Sequence, residues 1–216
     1  MRIAELSERA GVPIPTIKYY LREGILPRGE PTGRNQARYG AEHVHRLRLI
    51  RALVTVGGLP ITTVREVLAE VAEPGLGLHT KLGLVMRRIP LVGTDIEPEE
   101  EDRERARAFV TRQGWFFYED HPAMDALAVV LAGHREAGHP VDDASLDRYA
   151  AAIEQVVRVD LDRVGDLPTS EEVLEAAAAK TVLGDTLFTV LRRLAQIDES
   201  AKRYLDEDEH RSARED

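Results

Sequence analysis

The chain has 216 residues, a net charge of −9, 43% hydrophobic and 31% charged residues, and no cysteine. This is the composition of a globular protein of one large or two small domains, and the missing cysteines exclude disulfides, thiolate metal sites and thiol switches. No apolar run reaches the roughly 18 residues of a membrane span and no secretory signal opens the sequence, so a cytoplasmic protein with no membrane partner is expected.

The charge is uneven along the chain. Residues 1–72 carry eleven Lys/Arg and seven Asp/Glu, a net +4, whereas the remainder carries 18 and 31, a net −13. A basic module ahead of an acidic body suits a nucleic-acid-binding head joined to a regulatory region, although chance asymmetry gives the same numbers. The expected divisions are a head over 1–72, a short helix and linker over 73–96, an all-helical regulatory or dimerisation domain over 97–208, and a charged, disordered tail over 209–216.

Ile3, Leu6 and Ala10 fall on one face of a first helix. Gly11-Val12-Pro13 breaks it, and a second helix is expected from about Pro15 to Arg22, with Ile17, Tyr20 and Leu21 available for packing. Two short helices joined by a glycine-containing turn make a helix-turn-helix, whose second helix enters the major groove. Thr16 and Lys18 can reach base edges or phosphates, and Tyr19, Tyr20 and Arg22 can bond phosphate oxygens; Tyr20 serves equally well as core. Arg28 to Tyr39 is rich in Gly and Pro and predicts a two-stranded wing with a turn near Pro31–Arg34, offering Arg34, Asn35, Arg38 and Tyr39 to the backbone of a duplex. A third helix from about Ala41 to Val56 buries Val44, Leu47, Ile50, Leu53 and Val54. Gly57-Gly58 ends it, and Pro60 starts a fourth carrying Ile61, Val64, Val67, Leu68 and Val71 at spacings of three and four.

The order helix–turn–helix–wing–helix–helix resembles the MerR family. The resemblance lies in Arg2-Ile3-Ala4-Glu5-Leu6, Gly11-Val12, Thr16-Ile17-Lys18-Tyr19-Tyr20, Arg22-Glu23-Gly24-Ile25-Leu26-Pro27, Arg38-Tyr39, His45-Arg46-Leu47-Arg48-Leu49-Ile50 and Val64-Arg65-Glu66-Val67-Leu68, spread over about a third of the chain. It implies Thr16, Lys18 and Tyr19 on the recognition helix, Tyr20 against phosphate or core, and Arg34 and Tyr39 in the wing. It also implies a homodimer on a palindromic promoter operator in double-stranded DNA, an RNA polymerase partner at that promoter, and an effector that makes the protein distort the DNA. The wing departs from the family pattern: Asn35-Gln36-Ala37-Arg38-Tyr39 stands where Gly-Tyr-Arg often precedes the last tyrosine, displacing the arginine by one position.

The long helix that pairs antiparallel in many family members is cut short here. After Pro74-Gly75-Leu76-Gly77-Leu78 only about His79 to Ile89 reads as helix before Pro90. From Glu97 on, helices are expected to about Gln113, over about Pro122–Ala137, over about Ala144–Val164, and from a capping box at Thr169-Ser170-Glu171-Glu172 to the end. The fold class is therefore mainly α, a winged helix-turn-helix with a small β wing followed by an all-helical C-terminal domain. In the last helix Leu183, Leu187, Val190, Leu194, Ile197, Ala201 and Tyr204 alternate in steps of four and three, a heptad seam for a dimer or a core-facing stripe within one chain.

Trp115-Phe116-Phe117-Tyr118 are contiguous aromatics between two helices. With Met124, Leu127, Tyr149 and Ile153 they either line an apolar effector pocket or anchor the core. His121, His134 and His139 with Glu119 and Asp120 lack ligand spacing, so no metal is expected. Nor is a cofactor or catalytic residue: no phosphate loop or nucleophile motif occurs, and an enzyme is not expected. The leading expectation is a regulator controlled by a small-molecule effector in the helical domain; the alternative makes that domain a dimerisation and protein-interaction module with no ligand.

Overall fold

A computed structural model of the chain describes residues 1–33, 36–72, 78–91, 96–162 and 166–204. The elements are α1 (Ile3–Ala10), α2 (Ile14–Arg22), β1 (Glu30–Gly33), β2 (Gln36–Arg38), α3 (Ala41–Thr55), α4 (Ile61–Ala72), α5 (Leu78–Arg88), α6 (Glu100–Gln113), α7 (Pro122–Glu136), α8 (Asp143–Leu161) and α9 (Ser170–Tyr204). The mainly helical class with one small hairpin is the one expected. The chain forms two compact units, one joining Met1–Pro60 to the last helix from Ala179 and the other Ile61–Ala178. α4 packs on α5, where Arg88 bonds Glu70 at 2.7 Å.

In the first unit, Leu6, Ala10, Val12, Ile17, Leu26, Tyr39, Val44 and Leu47 form the core that fixes α1, α2 and α3 around one another. The turn after α1 closes at Gly11, whose φ of 65° is left-handed, while Ser7 Oγ donates to Val12 O at 2.7 Å. Two arginines of α3 complete that closure. Arg48 donates to Arg9 O at 2.9 Å and Arg51 to Gly11 O at 3.2 Å, placing cations on the carbonyl end of α1. The hairpin pairs Glu30 with Arg38, Pro31 with Ala37 and Gly33 with Gln36, with a register shift between Pro31 and Gly33. Its base is tied to the start of α1, since Met1 N donates to Tyr39 O at 2.7 Å and Tyr39 N to Met1 O at 2.9 Å. Far along the sequence, α9 meets the end of α3: a Cβ on Gly57 would stand 2.1 Å from Val182 Cγ1, and Thr186 Oγ1 donates to Val56 O at 3.4 Å.

In the second unit, α6, α7 and α8 enclose Ala106, Phe109, Val110, Ala128, Leu131, Leu146 and Ala150. Asp102 is buried beneath them. It accepts from Arg135 of α7 at 3.0 and 3.4 Å and from the backbone N–H of Glu99 at 3.1 Å. α9 begins with the expected capping box: Thr169 N donates to Glu172 Oε2 and Glu172 N to Thr169 Oγ1, each at 3.1 Å.

Two stability predictions follow from these joints. Gly11→Ala forces a side chain into a left-handed residue and towards Arg51 Nη1, 2.5 Å from the added Cβ. It should lower stability by about 1–2 kcal/mol, read as a fall in denaturant midpoint at constant slope. Arg135 hydrogen bonding, with help from the Glu99 N–H and against desolvation, holds the Asp102 carboxyl below its ordinary value. The stability this carboxylate contributes is present above the unfolded carboxyl pKa and is lost as pH falls through the lower folded one. Asp102→Asn should therefore flatten the loss of thermal stability on acidification from about pH 5 to 3; an unchanged slope would remove Asp102 from the acid response.

Candidate nucleic-acid interface

α2 starts after Pro13 and carries Pro15 in its first turn, which pre-sets the helical backbone. Ile17 is buried, Tyr20 and Leu21 are half-buried, and Lys18, Tyr19 and Arg22 are exposed. Lys18 and Arg22 lie four residues apart and so share one edge. Thr16 is half-buried near the N-terminal end of the helix. The Tyr19 and Tyr20 rings stand 5.8 Å apart. Burial and then the Tyr19 phenol push the Tyr20 phenol above its ordinary value, so Tyr20 remains a neutral hydroxyl.

Between α2 and the wing lies a groove of about 660 Å³ whose cations are Arg2, Lys18, Arg22 and Arg28. Among the described residues no acidic one lines it; Pro31 and Gln36 form the wing side. Arg2 is oriented by a 2.5 Å bond to Gln36 Oε1. Four cations with no carboxylate make a surface suited to phosphate oxygens, and the exposed edge of α2 beside it suits base edges.

Of the nine residues expected at the interface, Lys18 and Arg22 line this groove and Tyr19 is exposed beside them on α2. Arg38 is exposed on β2 opposite Glu30. Tyr39 also lines the groove, from its floor. Only 7% exposed, it belongs to the core and meets the buried His43 ring edge-on at 5.1 Å. Its apolar body fills the space under the wing, so it shapes the groove floor instead of standing out from it. Arg34 and Asn35 lie outside the described residues. Arg2, Arg28 and Gln36 were not singled out from sequence; the only signal was the basic excess of residues 1–72.

The other expected sites lie outside the head. Residues 115–118 lie between α6 and α7 outside any helix or strand, and burial alternates along them. Trp115 and Phe117 pack with Met124 and Leu127 on the core of α6, α7 and α8, and Trp115 Nε1 donates to Glu154 Oε1 at 2.9 Å. Phe116 and Tyr118 are exposed, 5.2 Å apart, with the His79 ring 5.5 Å from Phe116. Tyr149 is exposed and Ile153 half-buried. The eight residues therefore do not surround one void. The cavity touching Phe117 and Met124 has about 30 Å³, room for one water and far below the roughly 300–1,000 Å³ of a ligand site. His121 Nδ1 caps α7 by accepting from Ala123 N at 3.1 Å, His134 Nδ1 lies 3.1 Å from His139 O, and Asp120 pairs with Arg87 at 3.0 Å. Burial, and after it the Arg87 charge, hold His121 below its ordinary pKa. On α9, Leu183 and Ala201 are half-buried, while Leu187, Val190, Leu194, Ile197 and Tyr204 are exposed.

Residues 1–71 match the MerR HTH family of regulatory proteins. A solved structure of a candidate transcriptional regulator from Streptomyces coelicolor A3(2) superimposes with a TM-score of 0.71 and 36% identity, covering 94% of this chain and 98% of that one. The chain belongs to the MerR family. This MerR-family chain is also 38% identical over 56 residues to the mercuric resistance operon regulatory protein of Bacillus cereus, a match over 26% of this chain and 42% of that protein. The chain thus aligns with less than half the length of that relative. Among the described residues no helix is long and apolar enough to cross a membrane.

If the groove holds phosphates, Arg2→Ala and Arg28→Ala should each weaken duplex binding about equally across sequences and each reduce the slope of log affinity against log salt by about 1. Lys18→Ala and Tyr19→Phe should weaken binding without lowering thermal stability. Titrations at several salt concentrations on one duplex separate these outcomes.

Proposed function

We propose that the chain is a sequence-specific transcription regulator that binds a palindromic promoter operator as a homodimer, with α2 in the major groove and the wing along flanking phosphates. The observation that carries this reading is the acid-free groove with Arg2, Lys18, Arg22 and Arg28 beside the exposed edge of α2. The regulator works in the cytoplasm at promoters used by RNA polymerase, and it performs no catalysis. The chain beyond the winged head serves assembly and interaction, supported by the filled core around Trp115 and Phe117 and by the exposed heptad stripe of α9.

A second reading, control by a small-molecule effector, has one observation in its favour: the surface cluster of His79, Phe116 and Tyr118, whose rings contact one another and face outward. Mercuric ion is not carried over from the relative's name, because this chain offers no thiolate.

Selection of duplexes from a random-sequence pool tests the first reading. It should enrich a two-fold symmetric sequence, and Lys18→Ala should lose that enrichment; recovery of no preferred duplex would overturn it. Thermal melting against a compound collection decides the second. A compound that raises the melting temperature and also changes duplex affinity would move control of the regulator to an effector, and Phe116→Ala should abolish the shift.

A further inference from the structure

We infer that Pro15 is a specificity-determining residue of α2, reading the C5-methyl group of a thymine in each half-site by apolar packing. The inference rests on the proposed reading of α2 as the helix that enters the major groove, and it names a base which that helix selects.

The sequence gives α2 two faces. Ile17 is buried and Ile14, Tyr20 and Leu21 are half-buried, so the side at spacings of three and four from Ile17 packs inward. Pro15, Lys18, Tyr19 and Arg22 are all exposed. They stand three, four and seven positions from Pro15 and so form one outward stripe. Lys18 and Arg22 also line the groove towards the wing, where cations suit phosphate oxygens. Tyr19, one turn beyond Pro15, presents a hydroxyl that suits phosphate as well. Pro15 is the N-terminal member of the stripe. In a helix-turn-helix the N-terminal residues of the second helix stand nearest the base edges.

The chemistry at that position is narrow. A proline ring has no donor or acceptor, and its nitrogen carries no proton. It cannot exchange hydrogen bonds with guanine, adenine or cytosine. The feature of a major-groove edge that an apolar group recognises is the thymine methyl. The rest of the stripe holds no Asn, Gln, Asp or Glu, so the N6 and N7 pair of adenine and the amino group of cytosine find no matching side chain on it. Pro13, the N-cap, is exposed too, and the first turn of α2 has no acidic residue to repel the flanking phosphates. The ring is also a rigid reader. Its φ is fixed and it has almost no side-chain entropy to lose on contact. Its place in the first turn costs the helix no internal hydrogen bond.

The test uses the full chain and the duplex it selects from the random-sequence pool. That duplex is remade with deoxyuridine in place of each thymine in turn. Uracil pairs with adenine as thymine does and keeps the O4 acceptor, so only the methyl is lost. At one thymine of each half-site the native chain should lose about fourfold in affinity, the worth of one buried methyl group, whereas Pro15→Ser should bind both forms within about twofold. Pro15→Gln, whose amide can pair with adenine N6 and N7, should lose the thymine preference at that position when the selection is repeated. Thermal melting of both variants reports on the fold, and the uracil series on the native chain needs no variant. Uracil without effect at every position would overturn the inference. So would a Pro15→Ser chain that keeps the full discrimination, or a Pro15→Gln chain that still selects thymine there. A fall in melting temperature with base preference intact would make Pro15 a helix starter only, and would overturn it too. The two readings fail separately. Recovery of no duplex sinks DNA binding and the thymine contact together, whereas a selected duplex indifferent to uracil sinks the Pro15 contact alone.

Discussion

The placement of α2 depends on how the chain leaves α1. A helix end presents unbonded carbonyls and a partial negative charge, and here only three residues separate it from the next helix. Gly11 supplies the left-handed step and Arg48 and Arg51 supply the donors, so the turn is closed by groups from two distant parts of the head. Because both arginines stand on α3, the turn angle and the position of α3 are one quantity. The groove follows from this, since its cations come from the segment before α1, from α2 and from the segment after α2.

The helical body obeys the same logic with opposite charges. Asp102 is a buried carboxylate whose bonds to Arg135 and to the Glu99 N–H join the start of α6 to the end of α7. Arg112 and Gln113 at the end of α6 both reach Asp147 of α8, and Trp115 reaches Glu154 about two turns further along the same face. The three helices are thus latched at their ends by polar contacts and filled between by Phe109, Leu131 and Leu146. The exposed Arg112–Asp147 latch defines register without adding much stability, whereas the buried Asp102 also contributes to stability.

The helices were legible because each buries one face, and the three- and four-residue spacing of residues such as Leu47, Ile50 and Leu53 records that face directly. The capping box at Thr169 and Glu172 was legible for a similar reason, being a local hydrogen-bond exchange. What escaped the sequence was non-local. Arg2 and Arg28 are 26 positions apart and meet only once the wing folds back beside α1. Tyr39 looked like a surface hydroxyl because its neighbours Arg38 and Gly40 are polar or small, yet its ring has the core as its only apolar partner. The aromatic run reads as one cluster in sequence, but the fold divides it, giving Trp115 and Phe117 to the interior and Phe116 and Tyr118 to the surface.

Gly57 also bears on how this head can be handled as a part. The space a side chain would occupy there is filled by Val182, which lies 125 positions later in the chain. A head excised near residue 72 for grafting onto another sensor would leave Val56 and Gly57 without their covering helix. A chimera that keeps this head therefore has to bring the stretch from Ala179 to Thr186 with it, because Leu53 O, 2.8 Å from an added Cβ, also obstructs any side chain at Gly57 that would take over the cover. A side chain at position 57 would need both a smaller residue at position 182 and a shift of the backbone at Leu53, so the end of α3 and the middle of α9 hold this position to glycine together.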